Sequence, residues 1–401
     1  LAGVIEDLSF QGVCLEGIVR QKAIKKQFAE ALKIAADLED ASNAHAEIAI
    51  RQEKEDGLQT VEKIEFPYTK VHALQEIALA SGDLSLLEKA TEIAKEIEFE
   101  EERIRAYLNI AFQYIEANRK DKAIGVLDKA RQFAETLDGV QKDTFFSQIS
   151  QGFMKSGSID LADRTLDLVE DKYEIANTLV GYADEYWAKK EADEALEALD
   201  EGYQILKSQR DTETRNSKAK FNLFGLIAVR FAEFGKLERA IEIANQNPYD
   251  EIRHNSLTQV AIICETKEND DLAHQAIRDI DDGAEKTFAM IALSDVRRKN
   301  EQPDEALKLL NEAYFYLGKV QQFSMKSLIL NRLAERFNLL GEPEKAREIA
   351  SENLQVISEI LDESHRVSAL AGLADTFESL KFELNDAEKD LLRTMIRKTA
   401  W

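Results

Sequence analysis

The sequence predicts an all-α solenoid of about eleven stacked helix hairpins, formed by residues 1–401 as a single domain. Three observations lead to this prediction. Of the 401 residues only 4 are proline and 17 are glycine, the two residues that most often interrupt regular structure. A pattern of large and small apolar residues recurs along the chain. Small residues also recur in pairs that are twelve positions apart.

The first helix of each predicted hairpin carries four apolar positions. The hairpin near residue 221 shows them as Phe224, Ile227, Ala228 and Phe231. Spacings of three, four and seven residues place such side chains on one helix face. A single hairpin leaves this face partly uncovered, so neighbouring hairpins must stack to bury it.

The second helix is recognised by an alanine, or an equivalent residue, twelve positions after the small residue of the first. The pairs are Val19–Ala31, Ala49–Val61, Ala78–Ala90, Ala111–Ala123, Ser150–Ala162, Ala183–Ala195, Ala228–Ala240, Ala261–Ala273, Ser294–Ala306 and Ala334–Ala346. Small residues let two helices approach closely, so we expect them to be buried where the helices cross. The eleventh hairpin has Ala374 but Asp386 at the second place, as suits a terminal unit.

Glycine and proline stand where helix ends are expected. Gly157, Gly235 and Gly341 follow predicted first helices, where a left-handed residue commonly ends a helix. Pro303 and Pro343 come just after the turn, at the first position of a helix, where proline is tolerated. These signals predict the turn inside each hairpin.

Two features divide the chain further. The polar passage from Ser208 to Thr212 is the best internal boundary and indicates a subdivision near residue 215. Residues 384–401 are predicted to form a C-terminal capping helix, since Asn385 followed by Glu388 resembles a capping box. The subdivision is consistent with a single array.

This pattern resembles the tetratricopeptide repeat (TPR) family, in which a large residue, a Leu-Gly or Leu-Ala pair and a Tyr mark the first helix, and two alanines flank an aromatic residue or Leu in the second. The resemblance covers nearly the whole chain. Successive small residues lie between 29 (Ala49 to Ala78) and 45 (Ala183 to Ala228) positions apart, whereas the family period is about 34. The resemblance implies a right-handed α-solenoid whose first helices line a concave, ligand-binding face.

The formal net charge of -24 indicates which classes of partner to expect. A polyanion repels nucleic-acid phosphates and anionic lipid headgroups, so neither nucleic acid nor a membrane is an expected partner, and a basic protein is favoured. The two cysteines suit small, reduced core residues. Acidic residues near the start do not fit a signal peptide, which favours a cytoplasmic location. Because the chain begins without Met, a preceding segment that carries a targeting signal remains an alternative.

Sequence motifs of catalysis are missing. No G-x-G-x-x-G, Walker A, H-E-x-x-H, EF-hand or G-x-S-x-G pattern occurs. No two of the five histidines lie three or four positions apart, so no metal pair forms on one helix. We therefore expect no catalytic residue, no metal, no cofactor and no enzymatic activity.

Asparagine recurs at one position of three successive first helices. If the small residue is position eight, Asn177, Asn222 and Asn255 all fall at position two, on the face that the family resemblance assigns to ligands. An amide offers both a donor and an acceptor, so a row of them can hold a peptide backbone. Asparagine also favours helix starts as a capping residue, and that alternative remains open.

Three further residues are candidates for partner binding. Trp187 falls at position twelve on the same face and suits a hot-spot anchor, or else fills a gap between repeats. Arg298 and Arg332 add charge to the groove. The family's clamp for a C-terminal carboxylate needs Lys at position five and Asn at position nine, and no such pair is present.

These observations favour a protein–protein interaction scaffold or adaptor that binds a peptide segment or a helix in its groove. One alternative is a peptide-sensing regulator that changes shape on ligand binding. A more remote alternative is an α/α-barrel enzyme, for which the chain has few tryptophans and short loops.

Overall fold

A computed structural model describes residues 8–209 and 217–398 of the chain. The chain divides into two compact units, which comprise residues 1–208 and 209–401. Residues 210–216, which contain most of the polar passage predicted as a loop, lie outside the described residues. The single-domain organisation and its subdivision near residue 215 therefore remain predictions.

The first unit consists of six helix hairpins. Its helices are α1 (Leu8–Ile24), α2 (Phe28–Ala35), α3 (Ser42–Ala49), α4 (Lys54–Val61), α5 (Pro67–Ser81), α6 (Ser85–Ile93), α7 (Glu100–Glu116), α8 (Lys120–Ala134), α9 (Val140–Ser156), α10 (Ile159–Leu166), α11 (Lys172–Ala188) and α12 (Ala192–Ser208). Each odd-numbered helix packs against the even-numbered helix that follows it, and within this unit consecutive odd-numbered helices, from α1 to α11, also pack against one another. We call the odd-numbered helices the first helices.

The second unit consists of five hairpins. Its helices are α13 (Ser217–Glu233), α14 (Leu237–Asn245), α15 (Asp250–Thr266), α16 (Asp270–Arg278), α17 (Gly283–Lys299), α18 (Pro303–Tyr316), α19 (Phe323–Leu339), α20 (Pro343–Ser358), α21 (Glu363–Ser379) and α22 (Asp386–Lys398). No β-strand occurs in residues 8–209 or 217–398. The fold is therefore an α-solenoid of eleven TPR-like hairpins, as the sequence predicts.

The small residues lie where the two helices of a hairpin cross. In the first ten hairpins both members of the pair are at most 2% exposed. The burial predicted for the six test alanines is confirmed, because each is 0% exposed: Ala111, Ala123, Ala228, Ala240, Ala334 and Ala346. Where serine takes the place of alanine, its hydroxyl is satisfied, since Ser150 Oγ donates to the carbonyl oxygen of Ala162 at 2.9 Å.

A left-handed residue stands at the turn of ten hairpins. The predictions for Gly157, Gly235 and Gly341 are confirmed, with φ values of 84°, 83° and 84°. Pro303 and Pro343 occupy the first turn of their helices, also as predicted. Six other turns place a non-glycine residue at positive φ, namely Lys26, Asn118, Lys190, Glu268, Glu301 and Lys381.

The eleventh hairpin departs from the others because α22 packs against α20 and leaves Ala374 of α21 exposed. Glu388 of α22 is buried and accepts hydrogen bonds from Ser351 Oγ at 2.6 Å and from Arg347 Nη2 at 2.5 Å. The predicted capping box is confirmed, since Asn385 and Glu388 each accept the other's backbone N–H. Glu388 thus fastens the last helix to α20.

We expect Glu388→Gln to lower the free energy of unfolding by about 1–2 kcal/mol at neutral pH, because hydrogen bonds to a charged group weaken. Burial opposes ionisation, but the hydrogen bonds from Ser351 and Arg347 outweigh it and lower the pKa of Glu388. Stability from a lowered pKa is present above the unfolded value, about 4.3, and is lost as pH falls through the folded pKa. Urea denaturation should therefore show the difference shrinking below about pH 4.

The matched control for this substitution is Glu312→Gln, on an exposed position of α18. It should change the free energy of unfolding by less than about 0.5 kcal/mol. If the two variants lose equal stability, or if the loss at Glu388 does not depend on pH, the inference that this carboxylate holds α22 against α20 is wrong.

None of the described helices is both long and apolar enough to cross a membrane. The cysteine prediction is half wrong, because Cys264 is buried but Cys14 is exposed on α1. The apolar pattern around Cys14 extends to more than one side of α1, so sequence alone does not identify the buried side.

Candidate functional site

The first helices of each unit lie side by side, and their outward residues form a surface that we call the first-helix face. In the second unit it follows the packed series α13, α15, α17 and α19. Position two of each first helix belongs to this face, and Asn222 and Asn255 are both exposed there. This is the face on which the family resemblance predicts that a ligand binds.

A cleft of about 250 Å³ opens between α13 and α15 on this face. Its lining residues are Lys218, Asn222, Gly225, Leu226, Val229, Glu251, Ile252, Asn255, Ser256 and Gln259. Two of the three asparagines predicted to bind a partner, Asn222 and Asn255, therefore share one cleft. We call it the asparagine cleft.

Gly225 sets the spacing of the two helices at the asparagine cleft. A Cβ atom on Gly225 would lie 2.6 Å from Ser256 Oγ and 3.1 Å from the side chain of Ile252. The first of these contacts is closer than real Cβ atoms approach other atoms, so the absence of a side chain at Gly225 lets α13 and α15 pack as they do. Leu226 and Val229 add an apolar portion to the cleft wall.

Hydrogen bonds and charges orient the polar wall of the cleft. Gln259 Nε2 donates to Asn255 Oδ1 at 2.8 Å, which leaves the amide N–H groups of Asn255 as donors. Lys218 and Glu251 form an ion pair at 3.1 Å that links α13 to α15. The asparagine cleft can thus offer amide donors and acceptors beside an apolar surface.

Arg298 and Arg332 have different surroundings in the second unit. The guanidinium of Arg332 on α19 lies 4.8 Å from the centroid of the Phe288 ring on α17. Arg298 Nε lies 3.9 Å from Asp295, and Asp295 also pairs with Arg336 at 3.2 Å. Arg332 therefore presents its charge on the face, whereas that of Arg298 is partly neutralised.

Asn177 and Trp187 belong to α11 in the first unit, where Asn177 is half-buried and Trp187 is 38% exposed. The structure therefore brings together two of the three predicted asparagines. The row of three, with Trp187 beside it, remains a prediction.

A second cleft, of about 500 Å³, lies on the first-helix face of the first unit between α1, α3 and α5. Its lining includes Arg20, Asn43, Glu47 and His72. Asn43 also stands at position two, six residues before Ala49, so the same count along the sequence would have found it. The repeat position of Asn43 was not recognised because both helices of this hairpin are short.

A third, acidic cavity of about 740 Å³ lies at the loops that precede α15, α17 and α19. Two of its carboxylates, those of Asp281 and Asp282, have structural partners. Asp282 caps α17 by accepting from the N–H groups of Ala284 and Glu285. A hydrogen bond from His254, with help from Arg253, lowers the pKa of Asp281. No group of three or more His, Cys, Asp and Glu residues in the described chain is arranged to hold a metal ion.

Solved structures similar to this chain include the Rap conjugation gene regulator of the plasmid pLS20 in complex with the Phr* peptide (12% identity over 92% of this chain and 98% of that chain, TM-score 0.34). Another is the apo form of the quorum sensor NprR from B. thuringiensis (12% identity, 88% and 100% covered, TM-score 0.32). A third is a signal transduction ATPase from Pyrococcus horikoshii with a tetratricopeptide repeat sensor (13% identity, 88% and 52% covered, TM-score 0.27).

No functional conclusion follows from similarities at this level. No protein-family model matches the sequence, and no curated protein matches it by sequence. The hairpins themselves carry the structural conclusion, because ten of them bury a pair of small residues at their crossing and ten turn through a left-handed residue. The chain is a TPR-like helical-repeat protein in its fold.

Proposed function

We propose that this chain is a protein-interaction scaffold or adaptor that binds an extended peptide segment of another protein on its first-helix face. The asparagine cleft carries this proposal. It presents Asn222 and Asn255 from adjacent helices beside Leu226 and Val229. An extended backbone has unpaired N–H and C=O groups, which amides can satisfy, and its side chains can cover the apolar wall.

The proposed role requires no catalytic step and no cofactor, and its proposed setting, from composition alone, is the cytoplasm. Asn177, Trp187, Arg298 and Arg332 are proposed to contribute further contacts on the first-helix faces. A change in small-angle scattering on binding would assign the chain to the peptide-sensing regulators instead. That experiment separates the two functions that the sequence leaves open.

We expect Asn222→Ala combined with Asn255→Ala to weaken binding about tenfold, because each lost hydrogen bond costs about 0.5–1.5 kcal/mol. The partner would be captured from native lysate, identified by mass spectrometry and titrated by calorimetry against both proteins. The free energy of unfolding should change by less than about 1 kcal/mol, since both side chains are exposed.

The matched control is Asn311→Ala in the same unit. Asn311 is exposed on the second helix α18, and its Nδ2 donates to the carbonyl oxygen of Leu307 in the same helix. Its substitution should leave the affinity within twofold of the parent. Unchanged affinity in the double variant, with an intact fold, would reduce Asn222 and Asn255 to helix-favouring residues.

A further inference from the structure

Two cations on the first-helix face of the first unit are each held over an aromatic ring of the neighbouring helix. The guanidinium of Arg105 on α7 lies 5.3 Å from the centroid of the Phe145 ring on α9. Conversely, Lys155 Nζ on α9 lies 5.7 Å from the centroid of the Phe112 ring on α7. Contacts of this length are attractive, so the rings position both charges along the α7–α9 seam.

Neither cation is neutralised within the part of the chain that the structure describes. Arg105 and Lys155 are both exposed, and neither forms an ion pair there, although the chain carries 76 acidic residues against 52 basic ones. Two carboxylates of α9 and α11 have other partners. Asp143 accepts the backbone N–H groups of residues 170 and 171, and Glu174 accepts from Thr144 Oγ1 at 3.0 Å.

Amide side chains accompany the two cations. Asn109 is exposed and follows Arg105 by one helical turn, while Gln148 and Gln151 of α9 are half-exposed. Arg105 and Phe112 are seven residues apart, which is roughly 10 Å along a helix. Since Lys155 lies over Phe112, the two charges are on the order of 10 Å apart. Three residues of a peptide in polyproline II conformation span a similar distance, about 9 Å, and place the side chains of residues i and i+3 on the same face.

We propose that this surface, which we call the α7–α9 patch, binds an acidic segment of a partner protein in polyproline II conformation. Two carboxylates three residues apart would meet Arg105 and Lys155, and Asn109 would hold the backbone between them. An acidic segment is the proposed ligand because its carboxylates would form ion pairs with these two cations. The net charge of -24 does not forbid it, since charges beyond roughly 8 Å are largely screened at physiological salt.

This site is independent of the proposed asparagine cleft, which belongs to the second unit. For this part of the surface the proposed partner is acidic, whereas the sequence favours a basic partner for the chain as a whole, and both remain predictions. The expectation of a basic partner came from total charge, whereas binding depends on the charges within a Debye length of the ligand. Arg332 over Phe288 in the second unit is a similar arrangement of an arginine on a neighbouring helix's ring.

The test uses a labelled peptide blocked at both ends, Ser-Gly-Glu-Ser-Ser-Glu-Gly-Ser, titrated with the full chain by fluorescence anisotropy in low salt. We expect binding that exceeds that of the same peptide with two glutamines or two lysines. Arg105→Gln combined with Lys155→Gln should weaken it about five- to tenfold, as the loss of two exposed ion pairs implies. Circular dichroism checks that the variant is folded.

The matched control removes two cations from second helices of the same unit, Lys122→Gln and Arg164→Gln. Both are exposed and pair with their own carboxylates, Glu88 and Asp160. This control should change the affinity less than twofold. Equal loss in both variants, stronger binding of the lysine peptide, or no binding of the glutamate peptide would each overturn the proposal. Asn222→Ala combined with Asn255→Ala should leave this peptide's affinity unchanged, which separates the two sites.

Discussion

Replacing Arg297 by alanine should destabilise the second unit by about 3–5 kcal/mol, because it leaves a buried carboxylate without its cation. The side chains of Arg297 on α17 and Glu265 on α15 are only 8% and 2% exposed, and they form an ion pair. Arg297 also pairs with Asp270 of α16 at 2.8 Å. One guanidinium therefore connects three helices at the boundary between two hairpins.

The loss should depend on pH in a direction that the structure fixes. Burial raises the pKa of Glu265, and Arg297 opposes that rise. Without Arg297 the folded-state pKa moves further above the unfolded value of about 4.3. Stability from a raised pKa is fully present below the unfolded pKa and is lost as pH rises through the folded pKa. The deficit relative to the parent should thus be larger at about pH 8 than at about pH 5.

Urea denaturation followed by circular dichroism measures both effects. Arg278→Ala, on an exposed position of α16, is the control and should cost less than about 0.5 kcal/mol. Replacing both partners, by Arg297→Met and Glu265→Gln, should recover much of the loss, because no unpaired charge then remains buried. An Arg297→Ala protein as stable as the parent would contradict the importance of this pair.

Replacing Ala228 by leucine should cost about 1–3 kcal/mol, because the larger side chain has no space at the crossing of α13 and α14. Ala228 and its partner Ala240 are both 0% exposed. Leucine has nearly the helix propensity of alanine, so the loss would report packing. It is measured by urea denaturation of the full chain.

Ala374 provides the matched control for this substitution. It holds the same position in the eleventh hairpin but is exposed, since α22 packs on α20. Ala374→Leu should therefore change the free energy of unfolding by less than about 0.5 kcal/mol. If both variants lost equal stability, position eight would not be defined by its packing, and the repeat phase would be wrong.

The contrast between Ala228 and Ala374 also shows what the sequence could predict. The repeat could be recognised from sequence because its pattern is local. One hairpin, such as α13 and α14, lies within residues 217–245. The exposure of Ala374 depends on the contact of Glu388 with Arg347 and Ser351, which are 41 and 37 residues away. No periodicity encodes such a contact, so the eleventh hairpin kept the first-helix pattern but not the packing of the others.

The candidate sites divide in the same way. Counting positions placed Asn222 and Asn255 on one face, and they do share a cleft. Arg105 and Lys155 were missed, because each is defined by a phenylalanine on another helix, 40 or 43 residues away in sequence. A cation on one first helix with a phenylalanine at a nearby repeat position of the preceding or the following hairpin is a signal that could have found them.

The turns carry a consequence for how the array loses its structure. Each non-glycine residue in a left-handed turn costs about 1–2 kcal/mol, and less for asparagine. Six hairpins carry such a residue, whereas four turn on glycine. In a solenoid each hairpin interacts only with its neighbours, so such costs remain local and add to that hairpin's own opening equilibrium. Fraying should therefore begin preferentially at hairpins that turn on such a non-glycine residue, rather than at those that turn on glycine, and spread one nearest-neighbour interface at a time.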